Sequence, residues 1–239
     1  MPDSNLEVSL LKPEEASQYM RVRHETFKNA MNRILYSRGE ASQKTLDRVT
    51  SDIQDGIVNK GIIYLKCVDT TCGEMVAGAR WHYFKAAEAA TERTQEDLIA
   101  DAQVPEPYAE SDPDMVKALY DLFSANRRDV LGTRPYYSLD TLVTLPKHER
   151  RGAGGMLVRW GCEKADEAGV EAYLEASLKG VPLYLRHGFE RVRDVELDLR
   201  KWGGTEVRPF VVSISRASKV GFTDRVVAHA ASCQSGMIR

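Results

Sequence analysis

The sequence predicts an α/β domain with a helical insertion, and three stretches predict it. Residues 139–157 run from an apolar, strand-like segment through Pro146 and a charged turn into Arg-Arg-Gly-Ala-Gly-Gly, which opens a helix. Residues 62–68 and 75–84 are two strand candidates joined by a turn containing Gly73. Residues 192–199 and 209–215 form a second such pair across Gly203 and Gly204. A chain of 239 residues that is 43% hydrophobic can bury a full core in one domain. That domain is expected at residues 1–216.

The remaining elements follow from periodicity and stop signals. Residues 7–11 form a short apolar strand. Pro13, Glu14 and Glu15 then suit the first turn of a helix with Tyr19, Val22, Thr26 and Ala30 on one face. A second, more polar helix is expected at 41–57. Residues 86–132 break the pattern, being rich in Ala, Glu and Asp, with turns at Pro105, Pro107 and Pro113. Asp112 before Pro113 is an N-cap for a helix that turns Val116, Leu119, Leu122 and Phe123 inward. This segment has too few apolar residues for its own domain and reads as a helical insertion. Strands resume at 136–145. A helix at 153–168 faces Leu157, Trp160, Gly161, Ala165 and Ala168 inward, and Gly169 stops it. A strand at 172–177 and a short helix at 181–186 follow, the latter ending at His187-Gly188. The tail, 217–239, has weak periodicity and is expected to be loosely ordered.

Composition narrows the function. A formal net charge of -2 without a polybasic run gives no electrostatic footprint for nucleic acid or an anionic membrane. Cys67, Cys72, Cys162 and Cys233 lack zinc spacing and read as free intracellular thiols, so no metal is expected. The first residues are polar, and no run reaches the ~18 apolar residues of a membrane span. A soluble, cytoplasmic protein, monomer or homodimer, is expected.

The glycine-rich turn carries the chemistry. It bares backbone N–H groups where the helix dipole adds partial positive charge, which suits a pyrophosphate. Gly152-x-Gly154, with Glu175 downstream, approaches a dinucleotide fingerprint, but Leu157 replaces the third glycine and residues 146–151 separate strand from glycines. No Gly-Lys-Ser/Thr follows, so a P-loop is excluded. The diphosphate of an acyl-CoA fits instead, with Arg150 and Arg151 adding charge.

The run Leu142-Val143-Thr144-Leu145-Pro146-Lys147-His148-Glu149-Arg150-Arg151-Gly152-Ala153-Gly154 resembles the acetyl-CoA motif of the GNAT superfamily of N-acyltransferases. Pro182-Leu183-Tyr184-Leu185-Arg186-His187-Gly188-Phe189 resembles that family's second motif, at the expected distance. The wording is most like the fungal members. The resemblance implies a mixed, mostly antiparallel sheet whose two central parallel strands splay, with the helix at 153–168 crossing between them. It also implies acetyl-CoA as acyl donor and direct transfer of an acetyl or other short acyl group, in a ternary complex, to a small-molecule acceptor, most simply an amine. Backbone groups of Leu142, Val143 and Thr144 would pair with the pantetheine arm, and an N–H there would stabilise the oxyanion. Glu149, Arg150, Arg151, Gly152, Ala153, Gly154 and Gly155 would surround the diphosphate, and Ser177 would hydrogen-bond the coenzyme. Tyr184 would contact it and protonate the departing thiolate; an ordinary phenol pKa near 10 is close to a thiol's, about 8.5.

Two positions depart from the family. Glu149 stands where Gln or Arg is usual, and must turn away or pair with Arg150 or Lys147. Ser177 stands where Asn is usual. Three candidates serve as general base. Asp140 is first, sharing a strand face with Leu142 and Thr144 by the period of two. Glu175 is second, on the face of Ser177, and His82 third. Asp140 equally suits an ion pair with arginine, and Glu175 a bond to a buried tyrosine. A non-catalytic CoA-binding module and a protein or peptide N-acetyltransferase are the alternatives; an insertion lying over the acceptor side favours a small acceptor.

Overall fold

The strands are β1 (Leu6–Leu10), β2 (Ile63–Asp69), β3 (Glu74–Phe84), β4 (Tyr136–Thr144), β5 (Glu171–Ala176), the largely charged β6 (Glu190–Asp198) and β7 (Val207–Ser215). The computed structural model describes residues 3–87 and 90–216, so the expected tail at 217–239, with Cys233, lies outside the described residues. The helices are α1 (Ala16–Phe27), α2 (Asn32–Leu35), α3 (Gln43–Val58), α4 (Gln95–Asp101), α5 (Pro113–Leu131), α6 (Ala153–Ala168) and α7 (Val181–Leu185). Among the described residues no helix is long and apolar enough to cross a membrane.

The seven strands make one sheet in the order β1-β2-β3-β4-β5-β7-β6. Every neighbouring pair is antiparallel except β4 and β5, which are parallel and joined through α6. Helix α6 covers one face, where Leu157, Val158 and Ala165 pack with Leu139, Leu174 and Val211. Helices α1 and α3 cover the other, where Tyr19, Met20, Val49 and Ile53 meet Tyr64 and Val143. Side-chain caps start α3 and α5: Ser42 accepts from the Thr45 N–H, and Asp112 from those of Asp114 and Met115. The insertion is helical, as its composition predicts, and α5 sets Met115 and Leu119 against Leu197, Leu199 and Phe210 of the closing hairpin.

Three details differ from expectation. Helix α1 ends at Phe27, so Ala30 lies past it, and the short α2 follows. The inward stripe of α6 passes through Ala153, Leu157, Val158, Gly161 and Ala165. Trp160 therefore sits at its margin, half-buried beneath the Lys164 ammonium, and Ala168 is exposed. The tryptophan that fills the space between helix and sheet is Trp81 of β3, fully buried, whose indole N–H donates to the Leu157 carbonyl at 3.3 Å. Gly161 makes room for it: a Cβ there would stand 2.1 Å from the indole ring.

That contact sets how closely α6 approaches the sheet. Gly161→Ala is expected to cost about 1–3 kcal/mol in urea unfolding with an unchanged slope, as overpacking does. A loss under about 0.5 kcal/mol would show that the interface has slack.

Candidate active site

Strands β4 and β5 share only three rungs, Tyr136↔Glu171, Tyr137↔Ala172 and Ser138↔Tyr173. Beyond them β4 stays paired to β3 and β5 to β7, so the two strands part. The edge of β4 at Leu142, Val143 and Thr144 has no strand partner on the β5 side. An extended ligand can pair there as an added strand would. The Leu142 and Thr144 side chains reach the start of α6, each within 3.9 Å of a Cβ built on Gly154.

The loop before α6 is shaped by two left-handed residues, Arg150 (φ 66°) and Gly152 (φ 99°). For arginine this conformation costs about 1 kcal/mol or more. Gly152 occupies the N-cap with no side-chain hydrogen bond, leaving the first amides of a 16-residue helix without an internal cap. Ala153 is buried beneath them. Gly154 and Gly155 serve packing as well. A Cβ on either would press, at 3.3 Å, on Leu183 or His187 of the segment that carries Tyr184.

The loop's charges are arranged differently from expectation. The Arg151 guanidinium turns away from the helix start and is clasped by Asp3 at 2.8 Å and Asp69 at 2.7 Å. It ties the loop to the ends of β1 and β2. Lys147 pairs with Glu74 at 2.7 Å, so it is not the partner of Glu149. Glu149 pairs with neither Lys147 nor Arg150 but with Lys179, at 2.8 Å. Arg150 is exposed at the turn.

All three candidate bases lie on the face opposite α6. Asp140 does not share a face with Leu142 and Thr144, because β4 bulges there: Leu139 pairs with Trp81 and Thr141 with Arg80, leaving Asp140 between rungs. The bulge resets the alternation. Asp140 points with Ser138, whose hydroxyl donates to it at 2.6 Å, and its carboxylate lies 3.5 Å from the Arg80 guanidinium. Glu175 extends to the same side from β5. Burial pushes its carboxyl up to about 7, against the charge of Arg127 on α5 and the Tyr173 hydroxyl, which donates to it at 2.7 Å. Both bland expectations thus describe real contacts, an arginine for Asp140 and a tyrosine for Glu175. His82 lies opposite Ser138, its ring 4.0 Å from that of Phe84, and burial pushes its pKa down.

Tyr184 rises from α7 beside the parted strands, its ring over Gly180 and edge-on to Phe189. Burial alone pushes its phenol above the ordinary range, so it carries its proton at neutral pH. Ser177 follows β5 as an exposed residue whose carbonyl accepts the Gly180 N–H at 2.9 Å.

Sequence reasoning missed the arginines on this side, of which Arg93 is buried and Arg80 and Arg127 are half-buried. Arg80 lies on β3 beside Asp140, and the insertion adds Arg127 and Arg93, the latter paired with Asp101 and stacked over Phe84 and Tyr136. Arg80 is signalled by its place in an apolar strand, whereas Arg93 and Arg127 stand in polar or mixed segments that give no such signal. A groove of about 550 Å³ also opens between Lys28–Glu40 and the hairpin connection around Trp202 and Glu206. None of the nominated residues lines it. Among the described residues no group of three His, Cys, Asp or Glu side chains is placed to hold a metal ion.

This architecture has close parallels. A model described as the Acetyltransferase (GNAT) family matches residues 109–189, the span holding the parted strands, the glycine loop and Tyr184. Among solved structures, a mosquito arylalkylamine N-acetyltransferase like 5b superposes with a TM-score of 0.62 at 13% identity, covering 88% of this chain and 99% of that one. A polyamine N-acetyltransferase of Drosophila melanogaster gives 0.59 at 15% identity, covering 88% and 99%. A ribosomal-protein-S5-alanine acetyltransferase of Vibrio fischeri gives 0.54 at 6%, covering 92% and 97%. At these identities the likeness shows the shared fold, and the three differ in acceptor. The matched span falls where the sheet opens: residues 109–189 are similar to the GNAT family of acetyltransferases, and the chain shares the fold of the N-acetyltransferases it superposes on.

Proposed function

We propose that this protein transfers an acetyl, or another short acyl, group from acyl-CoA to a primary amine of a small molecule, by direct attack in a ternary complex. Residues 1–216 act as one catalytic domain, with the insertion at 86–132 over the acceptor side. The observation that carries this reading is the convergence of Asp140 and Glu175 on one face of the sheet where β4 and β5 part. The coenzyme's phosphates suit the amides at the start of α6, and its pantetheine arm suits the open edge at 142–144. The acceptor then approaches from the face of α1 and α5. The structural neighbours named for arylalkylamines and a polyamine support an amine acceptor by analogy.

The chemistry follows from the side chains. A cationic amine is drawn to the two carboxylates. Asp140 is already engaged by Arg80 and Ser138, so Glu175, with its carboxyl near 7, is the better base. It takes one proton from the ammonium, freeing the lone pair that bonds to the carbonyl carbon; the nitrogen's second proton leaves once that bond has formed and replaces the one Tyr184 gives up. A backbone N–H on the edge of β4 at 142–144 stabilises the oxyanion. The C–S bond then breaks, and Tyr184 gives its proton to the thiolate. Burial makes Tyr184 a weaker acid than an ordinary phenol, but a thiolate held beside it is desolvated too, which keeps the transfer balanced.

Glu175→Gln is expected to lower kcat/KM by about 10²-fold or more. A base must be ionised to act, so wild-type kcat/KM should rise through about pH 7 as the carboxyl loses its proton. In the variant that limb should vanish, leaving only the titration of the amine itself. A limb that persists would assign the base elsewhere. Tyr184→Phe should lower kcat by about 10-fold or more with little change in KM, and an unchanged kcat would remove it as the acid.

A further inference from the structure

Four basic side chains stand on the loop between β4 and α6, and three are engaged by the protein itself. Lys147 and His148 face Glu74, and Arg151 is held by Asp3 and Asp69. Arg150 makes no ion pair among the described residues. A fifth cation faces this loop from across the cleft. Lys179, on the connection between β5 and α7, has a side chain 80% exposed and an ammonium 2.8 Å from Glu149 Oε1. The pair joins the two loops that flank the parted strands. It lies close to the helix start, because the segment after Lys179 packs Leu183 and His187 against Gly154 and Gly155.

We propose that Lys179 is a phosphate-binding residue of the coenzyme site, held by Glu149 in the free protein and exchanging that carboxylate for a phosphate oxygen when coenzyme A binds. The inference rests on reading the start of α6 as the phosphate cradle. An exposed ammonium–carboxylate pair is weak and readily exchanged. Lysine is a mobile point charge that suits a phosphate without fixed geometry. Glu149 has two effects of one sign: it repels the phosphates and it occupies the cation that would bind them. The chain thus replaces the cations diverted to Glu74, Asp3 and Asp69 with one from the opposite loop, restrained by its own acid.

Calorimetric titration of coenzyme A and of dephospho-coenzyme A into wild type, Lys179→Ala, Lys179→Arg and Glu149→Gln tests this without turnover. Both side chains are at the surface, so thermal unfolding of the variants should match the parent. Lys179→Ala should bind about 5-fold more weakly, Lys179→Arg near wild type, and Glu149→Gln about 3-fold more tightly, with all differences shrinking at high salt. Weakening confined to coenzyme A assigns the contact to the 3′-phosphate, and equal weakening for both ligands assigns it to the diphosphate. Lys179→Ala binding both ligands as wild type overturns the inference while leaving the cradle standing. Wild type that takes up neither ligand overturns the cradle and the inference together.

Discussion

The separation of β4 from β5 after Ser138 and Tyr173 is the constraint on which the site depends. At their bases the strands are held together by three rungs and by the α6 crossover. Above that point each is committed elsewhere, β4 to β3 and β5 to β7, and the bulge at Asp140 turns β4 further from its neighbour. A sheet does not leave such an edge open without cost, because backbone groups away from water need partners. An extended ligand would supply them. The seating of Trp81 against Gly161 fixes α6, and with it the glycine loop, at one distance from that opening.

The sheet also separates two chemistries. On the α6 face the groups are backbone amides and a left-handed turn, suited to a multiply charged anion. On the other face they are side chains: Asp140, Glu175 and His82, interleaved with Arg80 and Arg127. In the proposed reaction the acyl group would pass between the faces through the gap in the strands. Burying this many charges is a stability cost of the kind found at functional sites. Glu175 shows its sign. Its carboxyl holds a proton up to about pH 7 in the fold but only to about 4.5 when exposed, so its ionisation lowers stability as pH rises between those values. A residue that costs stability at the pH of function is best explained by that function.

The sequence made the elements legible because their signals were local. Helix α6 keeps its expected bounds, since Gly152 and Gly169 both take the left-handed conformations that start and stop it. Asp112 caps α5 as its place before Pro113 implied. What stayed hidden depended on contacts distant in sequence. The period of two placed Asp140 with Leu142 and Thr144, but a bulge opposite Arg80 and Trp81 is a property of two strands together. Trp160 is expected inward from the helical period, but only packing shows that the tryptophan Gly161 accommodates is Trp81. Arg151 looked like a phosphate ligand beside the glycines, yet Asp3 and Asp69, far away in the chain, claim it.

The account stands on two backbone surfaces, the first amides of α6 and the open edge of β4, gripping one extended ligand. Amide hydrogen exchange of the protein with and without coenzyme A measures both at single residues. The predicted result is slowed exchange at residues 152–155 and at the β5-facing amides within 142–144, with little change in β1 and β2. Coenzyme uptake that leaves those amides exchanging as before, and protects a different region, would contradict it.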